Sequence, residues 1–200
     1  MNHYYTNSPK LKNKSIIIDY TYKGYHLSLF SDLGVFSKNR VDFGTHLLLQ
    51  SFNSNSQKEL SILDLGCGYG IIGLALAMAN PKYDIELIDI NKRAVELVKK
   101  NIKKLKITNA KTYESNLYEN VKKRFDVIIT NPPIRAGKEV VYAIFKEGLN
   151  YLSNEGVIWS VIRKAQGAEL LLKYLEVDYN VDIELKSKGY IVFSIKKKRK

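Results

Sequence analysis

Short apolar runs alternate with amphipathic ones along most of this chain. "SILDL" (61–65), "YDIELIDI" (83–90), "FDVIIT" (125–130) and "GVIWSVI" (156–162) are rich in Ile, Val and Leu and bounded by turn residues, the pattern of buried strands. "KTYES" (111–115) is a weaker strand between the second and third of these, and "SNEG" is a turn ahead of the last. Helices fall between them. "IIGLALAMA" (71–79) is apolar and stops at Asn80-Pro81, where proline cannot continue it. In "NKRAVELVKKNIKKLK" (91–106), Ala94, Leu97, Val98, Ile102 and Leu105 recur at helical spacing with lysines between them, which predicts an amphipathic helix with a basic outer face. "EVVYAIFKEGLNYL" (139–152) and "AELLLKYLE" (168–176) also read as helices. At the start, "SIIIDYTY" and "YHLSLFSD" flank Lys23-Gly24 as a hairpin, followed by a loop containing Phe36 and a short helix over "THLLLQSF" (45–52). At the end, "YNVDIEL" and "YIVFSIK" surround a Lys-Ser-Lys-Gly turn and predict an antiparallel pair.

Repeated strand-helix alternation predicts an α/β fold, Rossmann-like, whose mostly parallel sheet carries helices on both faces. With 200 residues the chain has room for one such domain. The expected division is a flexible basic N-terminus (1–14), a single domain (15–197) and a basic tail (198–200). Within the domain, the hairpin and loop span 15–43 and the core 44–197. In open sheets of this kind ligands sit beyond the carboxyl ends of the strands, where the strand order reverses. Four features fall at such ends: "DLGCGYG" (64–70), Asp89, Ser115-Asn116 and "NPPI" (131–134).

Charge adds a class of partner. The 32 Lys and Arg against 20 Asp and Glu give a net charge of +12, which favours a polyanion such as nucleic acid. No run approaches the length of a membrane helix and the N-terminus has no apolar signal core, so a cytoplasmic protein without a membrane partner is expected. Cys67 is the only cysteine, which excludes an internal disulfide; it reads as a small apolar residue under the glycine loop. His3, His26 and His46 show no ligand spacing, and no metal site is expected.

Gly66, Gly68 and Gly70 allow sharp turns and close approach of a ligand to the backbone. "GYGIIG" also satisfies the dinucleotide fingerprint, with Asp89 about 20 residues on, which keeps a nicotinamide-dependent oxidoreductase open at this point. Against that reading, the loop begins at Gly66 and is headed by Asp64, and "NPPI" has no part in hydride transfer. Asp89 ends a strand where a carboxylate can accept from two ribose hydroxyls, and Asn116 can read an adenine edge. In "ITNPPIRAGK" two prolines remove consecutive N–H groups, so the Asn131 side chain and the Pro132 carbonyl should offer oxygens with no neighbouring donor to occupy them. Acceptors placed this way await a hydrogen-bond donor.

"DLGCGYG", "IDIN" and "NPPI", in this order, resemble the class I S-adenosylmethionine-dependent methyltransferases. With "GVFSKNRVDFGTHLLL" upstream and "TNPPIRAGK", the chain is similar to the methyltransferase small domain family, which includes guanine-N2 methyltransferases of ribosomal RNA. The resemblance implies a seven-stranded sheet ending in an antiparallel pair, with S-adenosyl-L-methionine as cofactor. Asp64, Gly66, Gly68 and Gly70 would hold its methionine part, Asp89 the ribose and Asn116 the adenine, and Asn131 would also belong to the cofactor-binding residues. Asn131, Pro132, Pro133 and Ile134 would form the catalytic element, and the partner would be ribosomal RNA or the small ribosomal subunit. Lys38, Arg40, Arg135, Lys138, Arg163 and Lys164 are the candidate phosphate contacts. Larger rRNA enzymes of the family carry a degenerate second copy of the domain, which is not found in these residues, and many have an aromatic residue where Ile134 stands, so substrate docking is expected to differ. Three rivals stand beside this reading: methylation of a release-factor glutamine or of adenine N6, the oxidoreductase, and a non-catalytic RNA-binding module.

Overall fold

The protein is described by a computed structural model covering residues 15–32, 40–53 and 58–198. The predicted basic N-terminus, the loop with Phe36, Lys38 and the last two residues of the tail lie outside these segments. The sheet is built from β3 (Ser61–Leu65), β4 (Asp84–Asp89), β5 (Ala110–Glu114), β6 (Phe125–Thr130), β7 (Leu152–Arg163), β8 (Tyr179–Ser187) and β9 (Tyr190–Lys197). Their spatial order is β5-β4-β3-β6-β7-β9-β8. The strands from β3 to β7 pair in parallel, and β9 runs antiparallel to both of its neighbours. The strand order reverses between β3 and β6, so the crevice lies beyond their carboxyl ends.

Side chains on successive strand residues point to opposite faces, and the core divides accordingly. Ile62, Val127 and Ile129 face one apolar cluster, Leu63 and Ile128 the other. The first cluster is closed by α1 (Phe43–Ser51), α2 (Ile71–Ala79) and α3 (Lys92–Leu105), the second by α4 (Lys138–Gly148) and α5 (Ala168–Asp178). The antiparallel hairpin of β1 (Ser15–Tyr22) and β2 (Tyr25–Asp32) forms a separate sheet that adds Ile18, Tyr22, Leu27 and Leu29 to the first cluster.

Two local expectations differ from the structure. The "SNEG" stretch is no turn ahead of β7 but an irregularity within it, since Leu152 faces Phe125 and Val157 faces Val127. On α3 the buried positions are Ala94, Val95, Val98 and Asn101, with Leu97, Ile102 and Leu105 only flanking them. The apolar stripe is therefore rotated towards Asn101, a polar residue that is 0 % exposed. Asn101 Nδ2 donates to the carbonyls of Phe30 and Tyr69, both at 3.0 Å, and its Oδ1 accepts from Phe30 N–H at 2.7 Å. One amide thus joins the hairpin and the glycine loop to α3.

Candidate active site

The two strand ends at the reversal are bound to each other. Thr130, the last residue of β6 and fully buried, donates from Oγ1 to the carbonyl of Leu65, the last residue of β3, at 2.8 Å. This bond fixes Asn131 relative to the glycine loop. The loop turns on positive φ at Gly66 (72°) and Gly68 (57°), conformations that favour glycine. A Cβ at either position would meet nothing within 4 Å, so open space lies where a ligand can approach the backbone. The Gly66 and Cys67 N–H groups both donate to the Ile88 carbonyl, tying the loop to β4.

Two carboxylates brace this loop from within. Asp64 is 0 % exposed; its Oδ2 accepts from Gly73 N–H at 2.8 Å, while Oδ1 is buried with no partner. Burial raises its pKa to about 7, against the Gly73 hydrogen bond, which lowers it, and with help from the nearby Asp89 charge. The folded state therefore favours the protonated acid. The stability this contributes is complete below the ordinary carboxyl range and is lost as pH rises through about 7. Asp64→Asn should abolish this decline: the wild-type-minus-variant stability difference, measured by urea unfolding, falls between pH 4 and pH 7 with a steepest slope of about 1.4 kcal/mol per pH unit. A difference flat across that range would show that Asp64 stays ionised in the fold.

Asp89 braces the loop from the end of β4. Its Oδ2 accepts from Gly68 N–H at 2.9 Å and its Oδ1 from Asn91 N–H at 2.8 Å. Each carboxylate oxygen keeps a further lone pair, so structural bracing and ligand binding are compatible. Burial raises the Asp89 pKa, opposed by the hydrogen bonds from Asn91, Gly68 and Ile90. Asn116 follows β5, exposed on the same edge of the sheet. Cys67 is buried and its thiol is pushed well above the usual range by burial, which fits packing rather than reactivity.

The Asn-Pro-Pro corner confirms half of its expected character and corrects the other half. Asn131 Nδ2 donates to Thr45 Oγ1 at 2.9 Å and to Asp42 Oδ2 at 3.2 Å. Among the described residues nothing donates to Asn131 Oδ1. The Pro132 carbonyl, by contrast, is not donor-free: it accepts from Ile134 N–H at 2.9 Å. The prolines remove their own N–H groups, but an inverse γ-turn at Pro133 (φ −77°, ψ 82°) folds the Ile134 N–H back onto Pro132, and the 3₁₀ turn over Ile134–Ala136 that follows brings the Ala136 N–H to the Pro133 carbonyl at 2.8 Å. A carbonyl has two lone pairs, so Pro132 retains one. Ile134 is half-buried against the second core cluster.

Asp42, the N-cap of α1, also lines a cavity of about 550 Å³ with Tyr20, Arg40, Phe43, His46 and Tyr190. The Arg163 guanidinium lies 5.7 Å from the Tyr190 ring centre and Lys188 Nζ 5.3 Å from that of Phe43. The structure thus brings Arg40 and Arg163 to one aromatic cluster and adds Lys188, which the sequence reading missed. Arg135, Lys138 and Lys164 are exposed, following β6 and β7 at the same edge of the sheet. Asp42, Thr45 and Tyr190 were also missed, because nothing in their local pattern separates them from an ordinary helix start or strand. Among the described residues no group of His, Cys, Asp and Glu could hold a metal ion, and no helix is long and apolar enough to cross a membrane.

Comparison with known proteins places this geometry in a family. The model of the methyltransferase small domain matches residues 26–194. The chain is 44% identical to the uncharacterized protein YbxB of Bacillus subtilis, over 98% of both chains. It is 30% identical to ribosomal RNA small subunit methyltransferase C of Vibrio cholerae, covering 92% of this chain and 53% of that protein. Among solved structures, the T. thermophilus 16S rRNA N2 methyltransferase RsmC, in complex with AdoMet and guanosine, superposes with a TM-score of 0.79 at 26% identity, covering 95% of this chain and 52% of that one. The chain thus spans about half the length of these rRNA methyltransferases. The match to a methyltransferase family removes the basis for the oxidoreductase reading. The chain belongs to the methyltransferase small domain family, whose cofactor is S-adenosylmethionine.

Proposed function

We propose that this protein is an S-adenosylmethionine-dependent methyltransferase that modifies the exocyclic N2 amine of a guanine in small-subunit ribosomal RNA. The observation that carries this reading is an acceptor at the Asn-Pro-Pro corner, Asn131 Oδ1, to which none of the described residues donates, held beside the glycine loop by the Thr130–Leu65 bond. The residues fit the cofactor: Gly66 and Gly68 leave open space, Asp64 braces the loop from within through Gly73, and the spare lone pairs of Asp89 offer acceptors. Gly66, Gly68, Gly70 and Asp64 would surround its methionine part, Asp89 its ribose and Asn116 its adenine. The similarity to RsmC and to the V. cholerae enzyme supports guanine in 16S rRNA as the target.

The cofactor supplies a methyl group on a sulfonium, open to attack by a nitrogen lone pair. A guanine amine is a poor nucleophile because that lone pair is delocalised into the ring. Asn131 Oδ1 and the remaining lone pair of the Pro132 carbonyl accept the two amine hydrogens, which favours a pyramidal nitrogen and aims its lone pair out of the ring plane. The same oxygens stabilise the positive charge that develops on nitrogen until a proton leaves to solvent. Ile134 offers an apolar contact to the base. A base within a duplex cannot reach such a corner, so the target is single-stranded or extruded.

The rim of Arg40, Arg163 and Lys188 around Phe43 and Tyr190 is a basic and aromatic surface of the kind that holds single-stranded nucleic acid. Transfer of labelled methyl from S-adenosylmethionine to small ribosomal subunits, prepared from cells lacking the gene, tests the reading. Transfer to those subunits and not to release factor or DNA is expected. Affinity should fall steeply with salt, and Arg163→Ala or Lys188→Ala should each flatten the log–log slope by roughly 0.7. Binding indifferent to salt, or methylation of protein alone, would refute an RNA substrate.

A further inference from the structure

We infer that Asp42 and Thr45 are positioning residues that lock the Asn131 amide in one of its two orientations, so that oxygen rather than nitrogen faces the acceptor amine. The inference rests on the methyl-transfer reading of Asn131 and adds to it what makes that side chain competent. The two ends of an amide have nearly the same shape and opposite hydrogen-bonding character. Turned by half a rotation, Asn131 would present its NH2 to the hydrogens of an amine, which repels the substrate and gives its lone pair no direction. Packing alone does not choose between these states. Partners do.

Both partners of Asn131 Nδ2 are acceptors at this point: Thr45 Oγ1 at 2.9 Å and Asp42 Oδ2 at 3.2 Å. A carboxylate has no hydrogen to give, so it can bond only to the NH2 end. Asp42 is itself held, because the same Oδ2 accepts from Thr45 N–H at 3.2 Å as the N-cap of α1. Thr45 is 4 % exposed, so water has little access to compete for its hydroxyl. The first turn of α1 is thereby a fixed acceptor pair joined to a strand end 86 residues later in the chain. Donation from the NH2 group to a carboxylate also polarises the amide and makes Oδ1 a stronger acceptor. The segment around Arg40 to Thr45 is accordingly more than a helix start: it sets the chemistry of the Asn-Pro-Pro corner from the opposite side.

Two substitutions separate this role from packing. Asp42→Asn keeps the size of the side chain and its ability to cap a helix, but can donate to Asn131 Oδ1 and so permits the wrong orientation. Thr45→Val keeps the shape and removes the acceptor, and Thr45→Ser restores it. In single-turnover transfer to small ribosomal subunits from cells lacking the gene, Asp42→Asn and Thr45→Val should lower the maximal rate on the order of 10- to 100-fold. The affinity for S-adenosylmethionine and the thermal midpoint should stay near wild type, and Thr45→Ser should recover most of the rate. Nuclear magnetic resonance gives a readout independent of turnover: the Asn131 side-chain NH2 protons should exchange slowly with solvent in the wild type and Thr45→Ser, and about tenfold faster in Thr45→Val. Equal rates for Thr45→Val and wild type, equal impairment of the Val and Ser variants, or NH2 exchange that ignores all three changes would overturn the inference. If the wild-type protein transfers no methyl to the subunits, the functional reading fails, and the exchange measurement alone then decides whether the amide is locked.

Discussion

Asn131→Ala should lower methyl transfer by about 10²- to 10³-fold, the scale on which removal of one preorganised electrostatic group acts at a reacting centre. The side chain supplies the unoccupied acceptor at the corner, and its loss leaves only the Pro132 carbonyl, one lone pair of which is already taken by Ile134. Cofactor affinity should change little, within about twofold, because the glycine loop, Asp64 and Asp89 hold their arrangement through bonds that do not involve Asn131. The pair of measurements is therefore single-turnover transfer and calorimetric titration with S-adenosylmethionine. Equal loss of both would show that Asn131 supports the cofactor and not the amine. Retention of transfer would remove it from the chemistry altogether.

Asn101→Leu should be among the most damaging single changes to stability, costing roughly 5 kcal/mol. Leucine fills a similar volume, so the loss is one of hydrogen bonds. It strands the N–H and carbonyl of Phe30 and the carbonyl of Tyr69, all of which Asn101, itself fully buried, satisfies at 2.7 to 3.0 Å. Each stranded group costs about 1 to 3 kcal/mol. In a chain of this size the thermal midpoint should fall by more than about 10 °C. Asn101→Asp offers no rescue, because a carboxylate can accept from Phe30 N–H but meets two carbonyls with no hydrogen to give. Since Tyr69 belongs to the glycine loop, cofactor affinity should weaken in parallel. A drop below about 1 kcal/mol in urea unfolding would mean that the hairpin and loop are held by apolar packing instead.

These two asparagines mark where the sequence is legible and where it is not. The sheet, its helices and the hairpin follow from periodicity, because a strand buried on both faces must read as a short apolar run and a covering helix as a stripe. The glycine loop, Asp89 and the Asn-Pro-Pro corner were visible because turns impose residue types locally. What the pattern does not carry is the partner of a polar side chain. Asn131 meets Thr45 across 86 residues and Asn101 meets Phe30 across 71, and neither contact leaves a period. Asn101 did leave one trace: it sits on the buried stripe of α3, three residues after Val98, where a polar residue is costly unless satisfied. The occupied Pro132 carbonyl escaped for the opposite reason. Proline rules describe which N–H groups are missing and say nothing of the Ile134 N–H that a γ-turn at Pro133 brings back.

Nucleoside mass spectrometry of small-subunit ribosomal RNA tests the proposed chemistry most directly, comparing cells with the gene, without it, and without it but supplied with either the wild type or Asn131→Ala. N2-methylguanosine should fall in the absence of the gene, return with the wild type and stay low with the variant. An unchanged N2-methylguanosine content in cells lacking the gene would contradict the assignment.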